Sequence, residues 1–232
     1  MIDINFNFHS DSKGGDPDIC SPTLKKYHQI LWSKLLPNGK LFELNKKSGA
    51  YLNHKSDTQE FYLGSDAITN SYKHHKLKFW LTSQIAEDVE ELYIAGSTIG
   101  AYTLFPNKKI NGFQTINQVR GINKLIDDRF DLTLECIRLF YKNQSSPLYF
   151  TLNIFKHFFE LFETFKGYVD FFLLNDLVDE NYHINFFLPF HDLNSRPILS
   201  NKDEYLIYKQ NALSFINSRN IRIMNYIETK LI

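Results

Sequence analysis

The chain has little cysteine, no excess of either charge and no long apolar run. Its two cysteines, Cys20 and Cys136, cannot form a disulfide framework or a four-cysteine zinc site. Basic and acidic side chains number 26 each, so the charge balance gives no indication of a nucleic-acid-binding surface. No apolar run approaches the roughly 20 residues that a membrane helix needs, and the first residues lack the basic and apolar regions of a signal peptide. We therefore expect a cytoplasmic protein that does not enter a membrane.

Aromatic residues, in contrast, are abundant. They make up 16% of the chain, with 21 phenylalanines and 13 tyrosines, which is too apolar a composition for a disordered protein. A chain of 232 residues is also long enough to bury a sizeable core without disulfides. The accompanying abundance of Asn, Lys and Ile is typical of an AT-rich genome, and we expect a bacterial or phage origin.

The sequence pattern changes near residue 110. Residues 1–110 show short runs separated by turn signals, which predict one helix over 22–34 and strands at 2–8, 40–44, 50–54, 60–63, 76–81, 92–95 and 100–105. Residues 115–232 show helical periods, predicted at 116–141, 147–166 and 203–228, with a buried strand at 184–190. Residues 168–178 fit a helix or a strand. We predict a single α+β domain over 1–232, with a strand-rich N-terminal half packed on a helix-rich C-terminal half.

Two arginines fall on apolar helix faces. Arg129 lies in the middle of the apolar face of the predicted helix 122–141, and Arg219 lies with Asn220 among the apolar residues of the last helix. An arginine cannot shed its charge, and its burial without a partner is prohibitively costly. Each guanidinium must therefore meet a carboxylate, several carbonyl groups or a bound anion.

These arginines support a structural and a functional interpretation. In the structural one, they form buried ion pairs with Asp170 or Asp176. In the functional one, they line a shared cavity and hold a small anionic ligand such as a nucleotide. The ligand-binding residues would then be Arg129, Arg219, Arg120, Asn117 and Asn220. No catalytic residue or cofactor is indicated, because the motifs of phosphate loops, dinucleotide sites, zinc proteases and serine hydrolases are absent.

Two further hypotheses remain open. His9 and Asp11 directly follow a predicted strand, and Asp16 and Asp18 lie in the next loop, an arrangement that can bind a metal for hydrolysis of a substrate or a nucleic acid. The same residues would also stiffen a loop through side-chain turns. Alternatively, the chain is a protein-interaction module, for example in phage defence or a toxin–antitoxin pair, with an exposed apolar patch for its partner.

Several strings are specific enough to suggest a relationship. They are DPD at 16–18, SPTL at 21–24, YH at 27–28, LWSK at 31–34, DRFDLTLECIR at 128–138, GYVDFFLL at 167–174 and RN at 219–220. On these strings the chain resembles a bacterial and phage-associated family classified as a domain of unknown function. The resemblance implies no activity, fold or catalytic residue.

Overall fold

The strands lie in the first half of the chain. A computed structural model describes residues 2–197 and 199–230. Strands β1 (Lys34–Leu35) and β2 (Leu41–Phe42) form a hairpin. Strands β3 (Leu52–Lys55), β4 (Glu60–Ala67) and β5 (Tyr102–Pro106) form an antiparallel sheet in the order β3-β4-β5. The strands predicted near 40, 52 and 60 are confirmed, although β4 is four residues longer than predicted because it pairs with both neighbours.

Helices dominate the remainder, which confirms the α+β class. In chain order they are α1 (Pro17–Cys20), α2 (Pro22–Trp32), α3 (Phe79–Thr82), α4 (Ala86–Ala95), α5 (Ile116–Ile122), α6 (Phe130–Tyr141), α7 (Tyr149–Ile154), α8 (Lys156–Glu160), α9 (Phe165–Phe171) and α10 (Lys202–Lys230). Helix α2 begins as predicted, because the Ser21 side chain accepts from the amide of Leu24 and Pro22 occupies the first turn. No helix in the described part of the chain is long and apolar enough to cross a membrane.

Four predicted strands are wrong. Residues 2–8 alternate in exposure but have no partner strand, because Asp3 and Asn7 accept hydrogen bonds from nearby amides and turn the backbone into a 3-10 helix at Phe8–Asp11. Residues 76–81 and 92–95 are helical. Residues 184–190 contain only one bridge, between Val178 and Ile184. Short apolar runs fit a strand or a helix equally well, and the length of the run did not distinguish the two. The ambiguous residues 168–178 are helical, in α9 and a 3-10 turn at Asn175–Leu177.

The predicted helices after residue 115 exist but are interrupted. The helix expected over 116–141 divides into α5 and α6, because Asp127 and Asp128 adopt left-handed backbone angles, with φ of 49° and 59°. The helix expected over 147–166 divides into α7 and α8. The last helix is continuous, and the predicted face is buried: Tyr205, Tyr208, Ala212, Phe215, Ile216, Arg219, Asn220 and Ile223. This face packs on α4 and on the 3-10 turn at Ile99–Ala101.

Helix α5 begins with a capping box. The Thr115 side chain accepts from the amide of Gln118, whose side chain accepts from the amide of Thr115. We expect Thr115→Ala to lower the free energy of unfolding by about 1 kcal/mol in urea titrations, because an orphan amide loses its acceptor. Thr115→Asn, which keeps an acceptor, should cost less than half as much. Equal losses in the two variants would contradict the capping role.

Candidate functional site

Arg219 is completely buried and is bound by backbone carbonyl groups. Its Nη1 donates to the carbonyls of Gly100 and Tyr102, both at 2.9 Å, and its Nη2 donates to Phe172 at 2.9 Å. Its Nε donates to Leu173 at 3.2 Å. Burial lowers the pKa of Arg219 to about 9. Four of its five N–H groups are therefore used to join the end of α9 to the start of β5.

Arg129 is buried at the start of α6 and is neutralised locally. Its Nε and Nη2 donate to the two carboxylate oxygens of Asp131, a bidentate pair. Asp131 also accepts from the amide of Phe187 at 2.9 Å. Burial and the Asp131 charge oppose one another, and the pKa of Arg129 is raised. Side chains two residues apart do not face each other on a continuous helix, so the predicted helix did not suggest Asp131 as the partner of Arg129.

The partners predicted for these arginines are wrong. Asp176 binds Arg222 through two hydrogen bonds, at 2.7 and 2.8 Å, and Asp170 accepts from Lys166 and Asn175. The contacts of Arg129 and Arg219 nevertheless favour the structural interpretation, because their donors are mostly used within the chain. Binding of an anion by these arginines stays a prediction.

Arg120 lies elsewhere, behind a cluster of carboxylates. Its Nη1 donates to Asp66 at 2.5 Å and lies 3.1 Å from a carboxylate oxygen of Asp128. Its Nη2 donates to the Asp128 carbonyl at 2.9 Å. The two amide side chains of the predicted site are separated as well: Asn117 donates to the carbonyl of Ser65, whereas Asn220 accepts from the amide of Gly100.

A cavity of about 400 Å³ opens beside Arg120, and we call it the polar pocket. Its titratable lining residues are His9, Asp16, Asp18, Lys73, His74, His75, Tyr93, Tyr102 and Asp128. Three of the four N-terminal residues named from the sequence therefore meet in this pocket. The fourth, Asp11, is used differently: it accepts from the Ser21 hydroxyl at 2.6 Å and from the Thr23 amide at 3.0 Å, and so supports the start of α2.

Asp18 is the most perturbed group of the polar pocket. Its Oδ2 accepts from the amide of Ala67 at 3.3 Å, whereas its buried Oδ1 has no hydrogen-bond partner among the described residues. Burial, followed by repulsion from the Asp66 carboxylate, raises the pKa of Asp18 to about 7, and the nearby Ser65 hydroxyl offsets part of this rise. The pKa of Asp66 is raised to about 6 by burial, which Arg120 opposes. The carboxyl groups of Asp18 and Asp66 therefore titrate together near neutral pH.

A buried chain of side chains ends next to Asp18. Trp32 donates to Nδ1 of His28 at 2.9 Å, and Nε2 of His28 lies 3.0 Å from the hydroxyl of Ser65. An indole can only donate, so Nδ1 accepts and Nε2 carries the proton. His28 is fully buried, and burial lowers its pKa to about 3. The imidazole is thus a donor to Ser65 and cannot act as its base, which excludes a serine–histidine nucleophile in this tautomer.

The opposite wall of the polar pocket is aromatic and basic. The rings of His9 and Tyr93 stack with their centroids 4.8 Å apart, and Lys73 lies over the Tyr93 ring at 4.0 Å while pairing with Glu90 at 2.5 Å. Burial lowers the pKa of His9, and the Asp16 carboxylate opposes this shift. His9 and Lys73 therefore both cover part of the Tyr93 ring, which reduces the aromatic surface left for stacking of a flat ligand.

Metal binding is not supported by the arrangement of ligands. In the ranges 2–197 and 199–230, no group of three or more His, Cys, Asp or Glu is placed to hold a metal ion.

Outside the pocket, Phe79 and Trp80 are exposed side by side on α3, with 68% and 53% of their surface accessible. These two side chains are compatible with a protein partner, which stays a prediction.

The comparison with family models identifies a relationship. Residues 2–223 match the model of a family of unknown function, DUF6994. The chain belongs to this family. No curated protein and no solved structure gives a significant match. The predicted resemblance to a family of unknown function is confirmed, whereas the bacterial or phage origin stays a prediction. Two of the sequence strings, at 16–18 and 128–138, contribute Asp16, Asp18 and Asp128 to the polar pocket.

The sequence did not reveal the rest of this family member's pocket. Asp66, which lies behind the pocket, is near the end of the central strand β4, and Asn70 follows that strand. Lys73 lies in an irregular segment, and Tyr93 lies on a helix that was predicted as a strand. No shared spacing connects them. The left-handed backbone of Asp128, held by the Asn70 amide at 3.3 Å and by Arg120, also has no signature in the sequence.

Proposed function

We propose that the polar pocket binds a small ligand that presents a cationic or hydrogen-bond-donating group. The observation that carries this proposal is the buried Oδ1 of Asp18, which accepts no hydrogen bond from any residue that the structure describes. A buried carboxylate oxygen without a partner is costly unless a proton, a donor or a cation meets it. An amine, an amidine or a guanidine would supply that contact.

The charges around the polar pocket support the same ligand class. The carboxylates of Asp16, Asp18 and Asp128 line the pocket, and Asp66 lies behind them, paired with Arg120. Among the described lining residues, Lys73 is the one lysine or arginine, and it is already paired with Glu90. An anion would be repelled by this excess of carboxylates, whereas a cation would be attracted. The volume of about 400 Å³ is at the lower end of the usual range for ligand sites, which favours a small molecule.

Thermal-shift measurements with defined probes test the proposal. The panel contains agmatine, methylguanidine and spermidine as cations, ATP and inorganic phosphate as anions, and Mn²⁺ as a metal. We expect a cation to raise Tm at pH 8, by about 5 °C when its concentration is roughly 100 times Kd. The rise should be smaller at pH 6, where protonated Asp18 has lost its charge.

Variants distinguish the pocket from the surface. Asp18→Asn should abolish the shift given by the cation, whereas Asp57→Asn, an exposed carboxylate paired with Lys40, should retain it. A rise with ATP or phosphate alone would overturn the proposal in favour of the arginine hypothesis. A rise with Mn²⁺ alone would overturn it in favour of the metal-assisted hydrolase. Unchanged binding of the cation to Asp18→Asn would also overturn it.

A further inference from the structure

A second and larger cavity, which we call the lysine cavity, lies on another part of the molecule. It has a volume of about 810 Å³ and is lined by the β1–β2 hairpin, by α9 along its length and by the last turns of α10. Its lining residues share no member with those of the polar pocket. Most of its surface is apolar, and Lys34 of β1 lies on its wall.

Lys34 is surrounded by aromatic rings. Its Nζ lies 5.1 Å from the ring centroid of Trp32, 4.6 Å from that of Phe171 and 4.5 Å from that of Tyr226. Within the described part of the chain, the Nζ forms no hydrogen bond or ion pair. Lysine amines are normally hydrated or paired, so this amine is held in an unusually apolar environment that still opens to a cavity.

The aromatic rings by themselves favour an ammonium group, but burial and the charged groups near Lys34 disfavour it. Lys230 and Arg219 repel it, and Lys166 shares the cavity wall. Asp170 is the one carboxylate that lines the cavity in the described residues, and Lys166 and Asn175 already donate to it. Burial and these charges lower the pKa of Lys34 to about 7. A large fraction of the amine is therefore neutral, and nucleophilic, at physiological pH.

We infer that Lys34 is a reactive amine that forms an imine with a small aldehyde or ketone carrying an anionic group. The amine lone pair attacks the carbonyl carbon, and a proton moves from nitrogen to oxygen to give a carbinolamine. Loss of water, formed from the carbonyl oxygen and two hydrogens, leaves the C=N bond. No oxidant or reductant is needed. The protonated imine is a cation over three rings, and the anionic group would face Lys166 and Lys230.

Reductive trapping tests this inference on the full chain. The protein is incubated at pH 7.5 with glyoxylate and sodium cyanoborohydride, and the modified lysines are mapped by peptide mass spectrometry. We expect Lys34 to be modified at least 10-fold faster than Lys124, which is exposed and has no ion pair in the described residues. The reason is the larger neutral fraction of Lys34, because a lysine of ordinary pKa is only about 0.1% neutral at this pH.

Three controls make the result decisive. Lys34→Arg should remove the fast-reacting site, whereas Lys124→Arg should leave it in place. Acetaldehyde, which lacks the anionic group, should react with Lys34 more slowly than glyoxylate relative to Lys124. A rate at Lys34 no greater than that at Lys124 would overturn the inference and leave Lys34 as a structural cation. Equal rates of reaction of Lys34, relative to Lys124, with glyoxylate and acetaldehyde would overturn the inference that the carbonyl compound carries an anionic group. The wild-type map is informative even if Lys34→Arg does not fold.

Discussion

Replacing Arg219 by methionine is expected to lower the free energy of unfolding by about 4 kcal/mol, the largest loss for any arginine of the chain. Methionine matches much of the side-chain volume but brings no donor to the carbonyls of Gly100, Tyr102, Phe172 and Leu173. Each buried carbonyl without a partner costs about 1–3 kcal/mol. Relief from burying a cation, whose pKa is lowered to about 9, offsets only part of this sum.

Urea unfolding followed by tryptophan fluorescence measures this loss, because Trp32 is buried in the folded state and becomes exposed on unfolding. Its ring centroid lies 5.8 Å from the Arg219 guanidinium. The matched control is Arg196→Met, an exposed arginine whose replacement should change stability by less than about 0.5 kcal/mol. Arg219→Lys should also be strongly destabilised, because an ammonium cannot reach all four carbonyls in the geometry of a guanidinium. A loss below 1 kcal/mol for Arg219→Met would show that these hydrogen bonds do not hold α9 and β5 together.

Helical periodicity was sufficient to predict the burial of Arg219, but not its partners. The periodicity of α10 placed Arg219 and Asn220 on the buried face, and their charge and polarity required internal partners there. The partners are carbonyl groups more than 40 residues away, which every residue possesses and which no sequence pattern can distinguish. Asp170 and Asp176 were predicted as partners because acidic residues can be identified in a sequence, whereas backbone carbonyl partners cannot.

The polar pocket shows the same limit in another form. His9, Asp16 and Asp18 were noticed because they lie close together in sequence, and local turns do bring them to one cavity. Asp128 enters the pocket through the left-handed turn before α6, and Asp66 reaches Asp18 from the end of β4. That turn interrupts what periodicity predicts as one helix. The fold class and the main helices could therefore be predicted from local patterns, whereas the composition of the pocket depends on long-range packing.

Asp18→Asn is expected to stabilise the protein at pH 8, by roughly 2 kcal/mol, and to lose this advantage towards pH 4. The pKa of Asp18 is raised to about 7 in the folded state, from an ordinary value of 3.8. Between these values the folded state binds more protons than the unfolded state, so the free energy of unfolding falls as the pH rises. Above pH 7 the full cost of a buried charge is present, with an upper bound of about 4 kcal/mol for a shift of this size.

Urea titrations from pH 4 to pH 8 measure this difference, with Asp57→Asn as the exposed control. Asp66→Asn gives the contrast: the pKa of Asp66 is also raised, but its carboxylate pairs with buried Arg120, so removal of its charge should destabilise the protein at pH 8. A pH-independent difference between Asp18→Asn and wild type would contradict the burial of a charge at this position. If Asp18→Asn is more stable than wild type at pH 8 and no longer binds a cation, the Asp18 carboxylate serves binding and not stability. A carboxylate with a purely structural role would not be kept without a partner at a cost to the stability of the fold.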